Sequence, residues 1–243
     1  MATGPSINKQ NLIPLKDEIC IACSMFFLHK DYKEINPMYH VFAPNPYPFG
    51  DEIPPKYIGG VNAIASEKTS IFLGYTHYKH SYWNYLEQNP EYRKSNMYHL
   101  NYSHRIPFDE STYDNTSVWD ICKPLFGIMT VPYCAIQLAV YMGINHIYLL
   151  GCDHDYLTDM MGRARHAHFY RDEKGINDSC ETISTEEAFL KYNAKWKHYR
   201  LMREYLEPRG CYIYNATEGG LLDVFPRVTL AEALAGSHEK KGG

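Results

Sequence analysis

The segment Thr130–Asp153, "TVPYCAIQLAVYMGINHIYLLGCD", combines a helix and a strand in one continuous stretch. Thr130 is a residue type that caps helices, and Pro132 lies in the first turn, where proline is tolerated. Apolar residues recur at helical spacing over the next turns, and Gly143 is the expected C-terminal stop. The apolar run Asn145–Leu150 then predicts a buried strand of the kind found in a parallel sheet that is covered on both faces.

Other stretches continue this alternation of strands and helices. Four apolar runs predict further strands: Glu18–Cys23, His40–Ala43, the weaker Ser70–Leu73, and Cys211–Tyr214. A long helix is predicted from Thr185 to Leu206, because Ser184 and Glu187 form a capping box. Its apolar face is predicted to comprise Phe189, Tyr192, Trp196, Tyr199, Met202 and Leu206. The alternation predicts an α/β fold that is Rossmann-like and doubly wound, with a mainly parallel sheet and "IYLL" at its centre.

Two stretches interrupt the pattern. Residues 75–117 are rich in tyrosine, and residues 154–184 are charged and weakly apolar. A loop of about 30 residues inside a compact domain is usually a functional lid or disordered. We therefore expect one domain over residues 1–234, with a lid at about 154–184 and a flexible tail at 235–243.

Composition narrows the classes of protein. The chain has 243 residues, 45% of them apolar, and a net charge of −4, so it lacks the basic field that dominates nucleic-acid binding. No apolar run approaches the ~20 residues that span a bilayer, and no secretory leader pattern opens the chain, which favours a cytoplasmic location. The seven cysteines are scattered, as reduced structural cysteines are. Cys20 and Cys23 form a CxxC motif, for which a zinc or redox role is the alternative interpretation.

Ligands of an open parallel sheet bind beyond the carboxyl ends of its strands. The predicted strand ends and the helix start at Thr130, whose free N–H groups suit phosphate, provide the candidate binding residues. They are Gly4, Pro5, Ser6, Ser24, Asn45, Thr130, Gly151 and Asp153. We expect them to cluster at one edge of the sheet.

The segment "GRARHAHFYRDEKG" (162–175) has two interpretations. It is either a solvated charged loop or a lid that brings a general base and cations to an anionic substrate. Histidine suits the base role because its pKa lies near working pH. Metal binding by the segment Asp153-His154-Asp155, or by His166 and His168, is a competing interpretation, but we expect no bound metal.

The order of these motifs resembles the bacterial CMP-sialic-acid-dependent sialyltransferases and the sialyltransferase-like domains of motility accessory factors and surface-polysaccharide proteins. The resemblance runs from Gly4 to about Leu230. The matching segments are "TGPSI" (3–7), "CSMFFLHKDY" (23–32), "VFAPNP" (41–46), "GINHIYLLGCDHDY" (143–156), "HAHFY" (166–170) and "NATEGGLLDVFPRV" (215–228). Those families begin with a strand before the Gly-Pro-Ser turn, so the resemblance implies that the first strand of this chain is truncated.

The resemblance implies a glycosyltransferase that moves a sialic-acid-like (nonulosonic) or related sugar from a CMP-activated donor to a surface-glycan acceptor. The transfer would be inverting and metal-independent, without a cofactor beyond the CMP-sugar donor. His168 is the expected base with His166 as its substitute, Tyr170 and Arg165 are leaving-group stabilisers, and Asn215 joins the substrate-binding set. If neither lid histidine is the base, His154 is the next candidate.

Two other functions remain open at this point. An ATP- and Mg²⁺-dependent pterin diphosphokinase has similar Gly-Pro-Ser and Gly-x-Asp motifs and would use Asp153 and Asp155 as ligands. A non-catalytic nucleotide-binding protein is the third option. The expected partners are a nucleotide-sugar donor and a glycan acceptor, and no nucleic acid. Peripheral membrane association through the acceptor and a homo-oligomer are both compatible with the sequence.

Overall fold

The structure is a computed structural model that describes residues 1–44, 52–103, 119–123, 125–126, 129–155, 168–170 and 184–241. The described residues form two compact units, one from 1–3 and 11–143, the other from 4–10 and 144–241. Both contain parallel strands and helices, so the predicted α/β class with a parallel sheet is confirmed and is compatible with a Rossmann-like fold. The expected single domain over residues 1–234 is divided in two.

The first unit contains a five-stranded parallel sheet in the order β1-β2-β3-β4-β5. Its strands are β1 (Ile21–Cys23), β2 (Tyr39–Phe42), β3 (Ser70–Tyr75), β4 (Met97–Ser103) and β5 (Leu125–Phe126). Its helices are α1 (Tyr32–Ile35), α2 (Ile53–Ile64), α3 (Tyr82–Gln88) and α4 (Val131–Tyr141). Consecutive strands lie side by side, and helices occur in the crossovers from β1 to β4, as parallel pairing requires.

Helix α4 covers one part of this sheet. Its buried Cys134 and Leu138 pack against Val41 of β2 and Leu100 of β4. Gly143, with a φ of +77°, follows the helix. The predicted helix and its stop are confirmed, but the apolar spacing indicated its core-facing side only in part, because Tyr133, Ile136 and Gln137 are buried as well as Leu138.

The second unit is built on two parallel strands, β6 (His146–Leu149) and β7 (Tyr212–Asn215). Its helices are α5 (Thr185–Leu206) and α6 (Leu230–Lys241). Strand β6 contains the predicted "IYL" core, but its ladder partner in the described part of the chain is β7 alone. The expected position at the centre of one large sheet is therefore not what the described strands show.

Helix α5 was predicted correctly at its start and only partly along its apolar face. The Ser184 hydroxyl accepts a hydrogen bond from the backbone N–H of Glu187 at 3.1 Å, so the cap is present. Tyr199 and Met202 are buried as expected, whereas Phe189 is 56% exposed. The helix buries side chains mainly in its second half, which periodicity alone cannot indicate.

The C-terminal end of the chain differs from expectation. Residues 235–241, expected as a tail, continue helix α6. At the other end, the Met1 amino group donates to the Ile21 carbonyl at 2.8 Å, and the Cys23 N–H donates to the Met1 carbonyl at 3.0 Å. Met1 therefore lies beside β1, with the hydrogen-bond pattern of a parallel ladder. Most of the expected lid lies outside the described residues.

The six cysteines that the structure describes are all free. Cys122 is exposed, and the other five, Cys20, Cys23, Cys134, Cys152 and Cys211, are buried. Burial raises the pKa of Cys20 to about 11 and that of Cys134 to about 12. The Cys20 and Cys134 thiols are therefore protonated and unreactive in the folded protein at neutral pH. Among the described helices, none is long and apolar enough to cross a membrane.

Candidate functional site

The turn at Gly4–Ser6 lies at the carboxyl end of strand β6. The Ser6 backbone N–H donates to Asp153 Oδ1 at 3.1 Å, and the Ser6 hydroxyl donates to Asp153 Oδ2 at 2.8 Å. The Gly4 N–H donates to the carbonyl of Gly151 at 2.8 Å. Pro5 begins a short 3-10 helix that extends to Lys9. The structure thus brings together the Gly-Pro-Ser turn and the Gly-Cys-Asp strand end that the sequence singled out.

Gly4 is in close contact with both Gly151 and Asp153. A Cβ at Gly4 would overlap the Asp153 carboxylate and lie 2.6 Å from the Gly151 carbonyl oxygen. The φ of Gly4 is −62°, which any residue can adopt. Glycine is therefore required at position 4 because there is no room for a Cβ, and not because the backbone adopts a conformation that only glycine favours.

Gly4→Ala is expected to lower the free energy of unfolding by about 1–3 kcal/mol, because the new methyl group must displace a buried carboxylate or a backbone carbonyl. Urea unfolding followed by circular dichroism measures this loss. Gly59→Ala is the matched control: a Cβ there meets nothing within 4 Å, and alanine favours the interior of helix α2. A Gly4→Ala protein as stable as the parent would contradict the packing described here.

A second glycine lies on the other side of Asp153. Gly220 has a φ of +74°, and a Cβ there would lie 2.7 Å from both the Cα and the carbonyl oxygen of Asp153. The next N–H, of Leu221, donates to that same carbonyl at 2.8 Å. The loop that contains Gly220 therefore fixes the backbone of Asp153.

Arg227 holds this loop in place. Its guanidinium donates to four loop carbonyls, those of Thr217, Gly219, Gly220 and Leu222, at 3.3, 2.6, 2.8 and 3.1 Å. The five N–H donors of arginine lie in one plane, which suits several carbonyls of one curved segment. These bonds give the arginine of the C-terminal "FPRV" motif a structural role.

Asn215, expected to bind substrate, is fully buried and bonded within the chain. Its side-chain amide donates to the Leu222 carbonyl at 2.8 Å, and its side-chain oxygen accepts from the Thr217 N–H at 3.0 Å. The Thr217 hydroxyl in turn accepts from the Cys152 N–H at 3.0 Å. In the structure Asn215 joins β7, the loop and the end of β6.

The two carboxylates of this region have raised pKa values. Burial raises the pKa of Asp153, while the two hydrogen bonds from Ser6 oppose the shift by stabilising the charged form. Burial also raises the pKa of Asp155, against the Leu221 N–H and the positive charges of Lys9 and Arg227. Among the described residues, no three His, Cys, Asp or Glu side chains are arranged to hold a metal ion.

His154, which the sequence offered as a metal ligand and as a substitute base, is buried next to Asp153. His154 has a φ of +52°, and its Nε2 forms a hydrogen bond with the Tyr199 hydroxyl at 2.9 Å. Its ring meets the edge of Trp196, whose indole N–H donates to Asp223 at 2.9 Å. Burial, with a further contribution from Lys195, lowers the pKa of His154 to about 3. The imidazole is therefore neutral at physiological pH. Its aromatic neighbours Trp196 and Tyr199 were predicted from the apolar face of α5, but only as core residues.

Ser24 and Thr130 lie in the first unit. Ser24 follows β1 with a φ of +49°, an uncommon conformation for a residue with a Cβ. Its carbonyl lies 2.6 Å from Nε2 of the buried His40, and His40 Nδ1 lies 2.9 Å from the Tyr32 hydroxyl. Because a carbonyl only accepts, Nε2 carries the proton and Nδ1 accepts from Tyr32. Thr130 precedes α4 without a side-chain capping hydrogen bond.

His40→Phe is expected to lower the free energy of unfolding by about 1–3 kcal/mol. Phenylalanine retains the stack on Phe42, whose ring centroid is 4.5 Å away, but leaves the Ser24 carbonyl and the Tyr32 hydroxyl without their partner. Adding Ser24→Gly should recover part of the loss, because glycine adopts positive φ freely. Thermal unfolding of the single and double variants measures both effects. Equal losses with and without Ser24→Gly would show that His40 does not stabilise the Ser24 conformation.

Of the predicted lid residues, His168 and Tyr170 are described. Their rings stack with centroids 5.1 Å apart and an interplanar angle of 7°, and Phe169 packs edge-on against Tyr170. Both Tyr170 and His168 are partly exposed. His166, Arg165 and Asn45 lie outside the described residues.

Comparison of the chain with protein-family models, with curated proteins and with solved structures found no match.

Proposed function

We propose that this chain is a glycosyltransferase of the sialyltransferase-like type, acting on a CMP-activated nonulosonic or related sugar and a surface-glycan acceptor. The observation that carries the proposal is the pair of Ser6–Asp153 hydrogen bonds, which joins the two motifs of the resemblance that are 147 residues apart. The Rossmann-like architecture with a lid and the cytoplasmic location belong to the same proposal.

The proposed reaction is an inverting displacement. A base removes the proton of an acceptor hydroxyl, the acceptor oxygen attacks the anomeric carbon, and the bond from that carbon to the phosphate oxygen breaks. CMP leaves with the bonding electrons, and a donated hydrogen bond stabilises the charge that develops on its phosphate. His168 is proposed as the base and Tyr170 as the hydrogen-bond donor, with His166 and Arg165 in the supporting roles given above.

The geometry changes one part of the expected donor site. The Ser6 amide and hydroxyl, which were expected to bind phosphate, both donate to Asp153. Ser6 therefore acts in this proposal by holding the turn and the strand end together. The proposed site for the donor is the surface formed by this turn, the end of β6 and the loop braced by Arg227.

Titration calorimetry with CMP and with ATP, each with and without Mg²⁺, tests the proposal. CMP binding that is indifferent to Mg²⁺ is expected. Mg²⁺-dependent ATP binding would favour the diphosphokinase, in which Asp153 and Asp155 hold the ion, and absence of binding to either nucleotide would favour a non-catalytic role.

Ser6→Ala and Ser184→Ala form a matched pair for the same titration. Each removes one serine hydroxyl hydrogen bond, to Asp153 in the turn and to Glu187 at the start of α5. Only Ser6→Ala is expected to weaken CMP binding, by about tenfold, which is the effect of one charge-assisted hydrogen bond. Equal CMP affinity in the two variants would place the nucleotide elsewhere.

A further inference from the structure

A row of aromatic, histidine and arginine side chains lies at the edge of the first unit. It comprises Tyr75 at the end of β3, His77, Trp83 of α3, Arg93 and His99 of β4; we call these five residues the aromatic row. Ring centroids are 5.3 Å apart for His77 and Tyr75, 5.8 Å for Tyr75 and His99, and 5.3 Å for His99 and Trp83. The Arg93 guanidinium carbon lies 4.9 Å from the Trp83 ring centroid and completes the row.

The parallel register of β3 and β4 accounts for this arrangement. His99 pairs with Leu73, and Asn101 pairs with Tyr75, so Tyr75 and His99 share one face of the sheet. Helix α3, which carries Trp83, packs against β3. The tyrosine-rich segment, which showed little periodicity in the sequence, is therefore folded here as strand end, helix and strand.

The aromatic row presents both aromatic rings and basic side chains to solvent. Tyr75 and Trp83 are half-buried, whereas His77, Arg93 and His99 are exposed. With the described residues Arg93 forms no ion pair, and its charge lies beside the Trp83 ring. An aromatic face offers apolar contact to the C–H face of a sugar ring, imidazoles exchange hydrogen bonds with hydroxyls, and a guanidinium binds a carboxylate in a bidentate manner.

We infer that the aromatic row binds a saccharide that carries a carboxylate. The sugar ring stacks on Trp83 or Tyr75, and the carboxylate binds Arg93. This inference rests on the proposed function for its biological meaning, because the row then binds the acidic glycan acceptor. The binding itself requires neither CMP nor turnover.

Ligand-observed NMR titration with methyl β-glucuronide and methyl β-glucoside tests the inference, since the two probes differ by one carboxylate. The glucuronide is expected to bind at least about tenfold more tightly, and Arg93→Gln should abolish that preference, as loss of one charge-assisted pair predicts. Trp83→Leu should weaken both probes. Tyr85→Phe on the same helix, outside the row, should change neither.

Equal binding of the two probes would overturn the inference. So would glucuronide binding that Arg93→Gln leaves unchanged, and so would tighter binding of a single-stranded oligonucleotide than of either saccharide. Circular dichroism of each variant verifies that it is folded, and Trp83→Phe provides a milder test of stacking. Carboxylate-dependent binding by a protein that does not bind CMP would support the row and refute the transferase. CMP binding without saccharide binding would refute the row alone.

Discussion

His168→Ala is expected to lower turnover of a CMP-activated sugar by about 10²–10⁴-fold, the usual contribution of a general base. The side chain is partly exposed and stacks on Tyr170, so removing the imidazole exposes little core. CMP affinity should be unchanged, because the base acts on the acceptor hydroxyl. Steady-state kinetics with saturating donor, together with CMP titration, separates the two effects.

Tyr170→Phe is the matched control for this experiment. It keeps the ring that stacks on His168 and removes only the hydroxyl proposed to stabilise the leaving phosphate. His168→Ala should remove the acidic limb of the pH–rate profile, where protonation of the base lowers the rate, whereas Tyr170→Phe should lower the rate without altering that limb. If His168→Ala and His166→Ala both keep near-full turnover, the base is another residue. The buried His154, with its pKa lowered to about 3, is then a poor replacement.

Acidification from pH 7.5 to pH 5 is expected to destabilise both units strongly. Burial lowers the pKa of His40, His154 and His198 to about 3, from 6.5 for an unperturbed histidine. Below pH 6.5 the unfolded chain binds protons that the folded chain does not bind, so stability falls as the pH falls towards 3. At pH 5 each histidine should cost about 2 kcal/mol, since one pKa unit corresponds to about 1.36 kcal/mol.

The second unit holds His154 and His198 and should lose about 4 kcal/mol at pH 5, a large share of the 5–15 kcal/mol typical of a domain. Asp153 acts in the opposite sense, because its raised pKa favours proton binding by the folded state just above pH 3.8. Urea unfolding at half-unit pH steps measures the slope of stability against pH. His198→Gln should reduce that slope by about one proton, and a slope unchanged between parent and variant would show that His198 is charged in the folded protein.

The parts of the fold that the sequence predicted well are those whose pattern is local. Helix α4 and strand β6 follow from apolar residues at helical spacing, a glycine stop and a continuous apolar run within one stretch. Strand β4 was missed because Tyr98 and His99, on opposite faces of the strand, are both exposed, so polar and apolar residues do not alternate along it. Helix α3, in the same tyrosine-rich segment, was missed as well. Strand pairing is non-local, so the separate ladder of β6 and β7 was not predictable from either strand alone.

The candidate site was predicted in its chain positions but not in its bonding. Strand-end reasoning identified Ser6 and Asp153, because parallel strands place their carboxyl ends at one edge. It assigned Ser6 to phosphate, whereas the nearest acceptor in the folded chain is the Asp153 carboxylate. His154 acquires its role through Tyr199, which is 45 residues away, and composition and spacing carry no signal for such a contact. Arg227 acquires its role through carbonyls of the preceding loop, which no apolar pattern indicates.

The free cysteines are distributed over both units, so the reaction of each thiol with a reagent can report local opening of the unit that contains it. Cys20, Cys23 and Cys134 are buried in the first unit, and Cys152 and Cys211 in the second. An alkylating reagent reacts with the thiolate, so in the native state it should modify the exposed Cys122 first among these six. The other five become reactive only when their own unit opens. Mass spectrometry of timed alkylation can therefore assign a separate opening rate to each unit without any added probe.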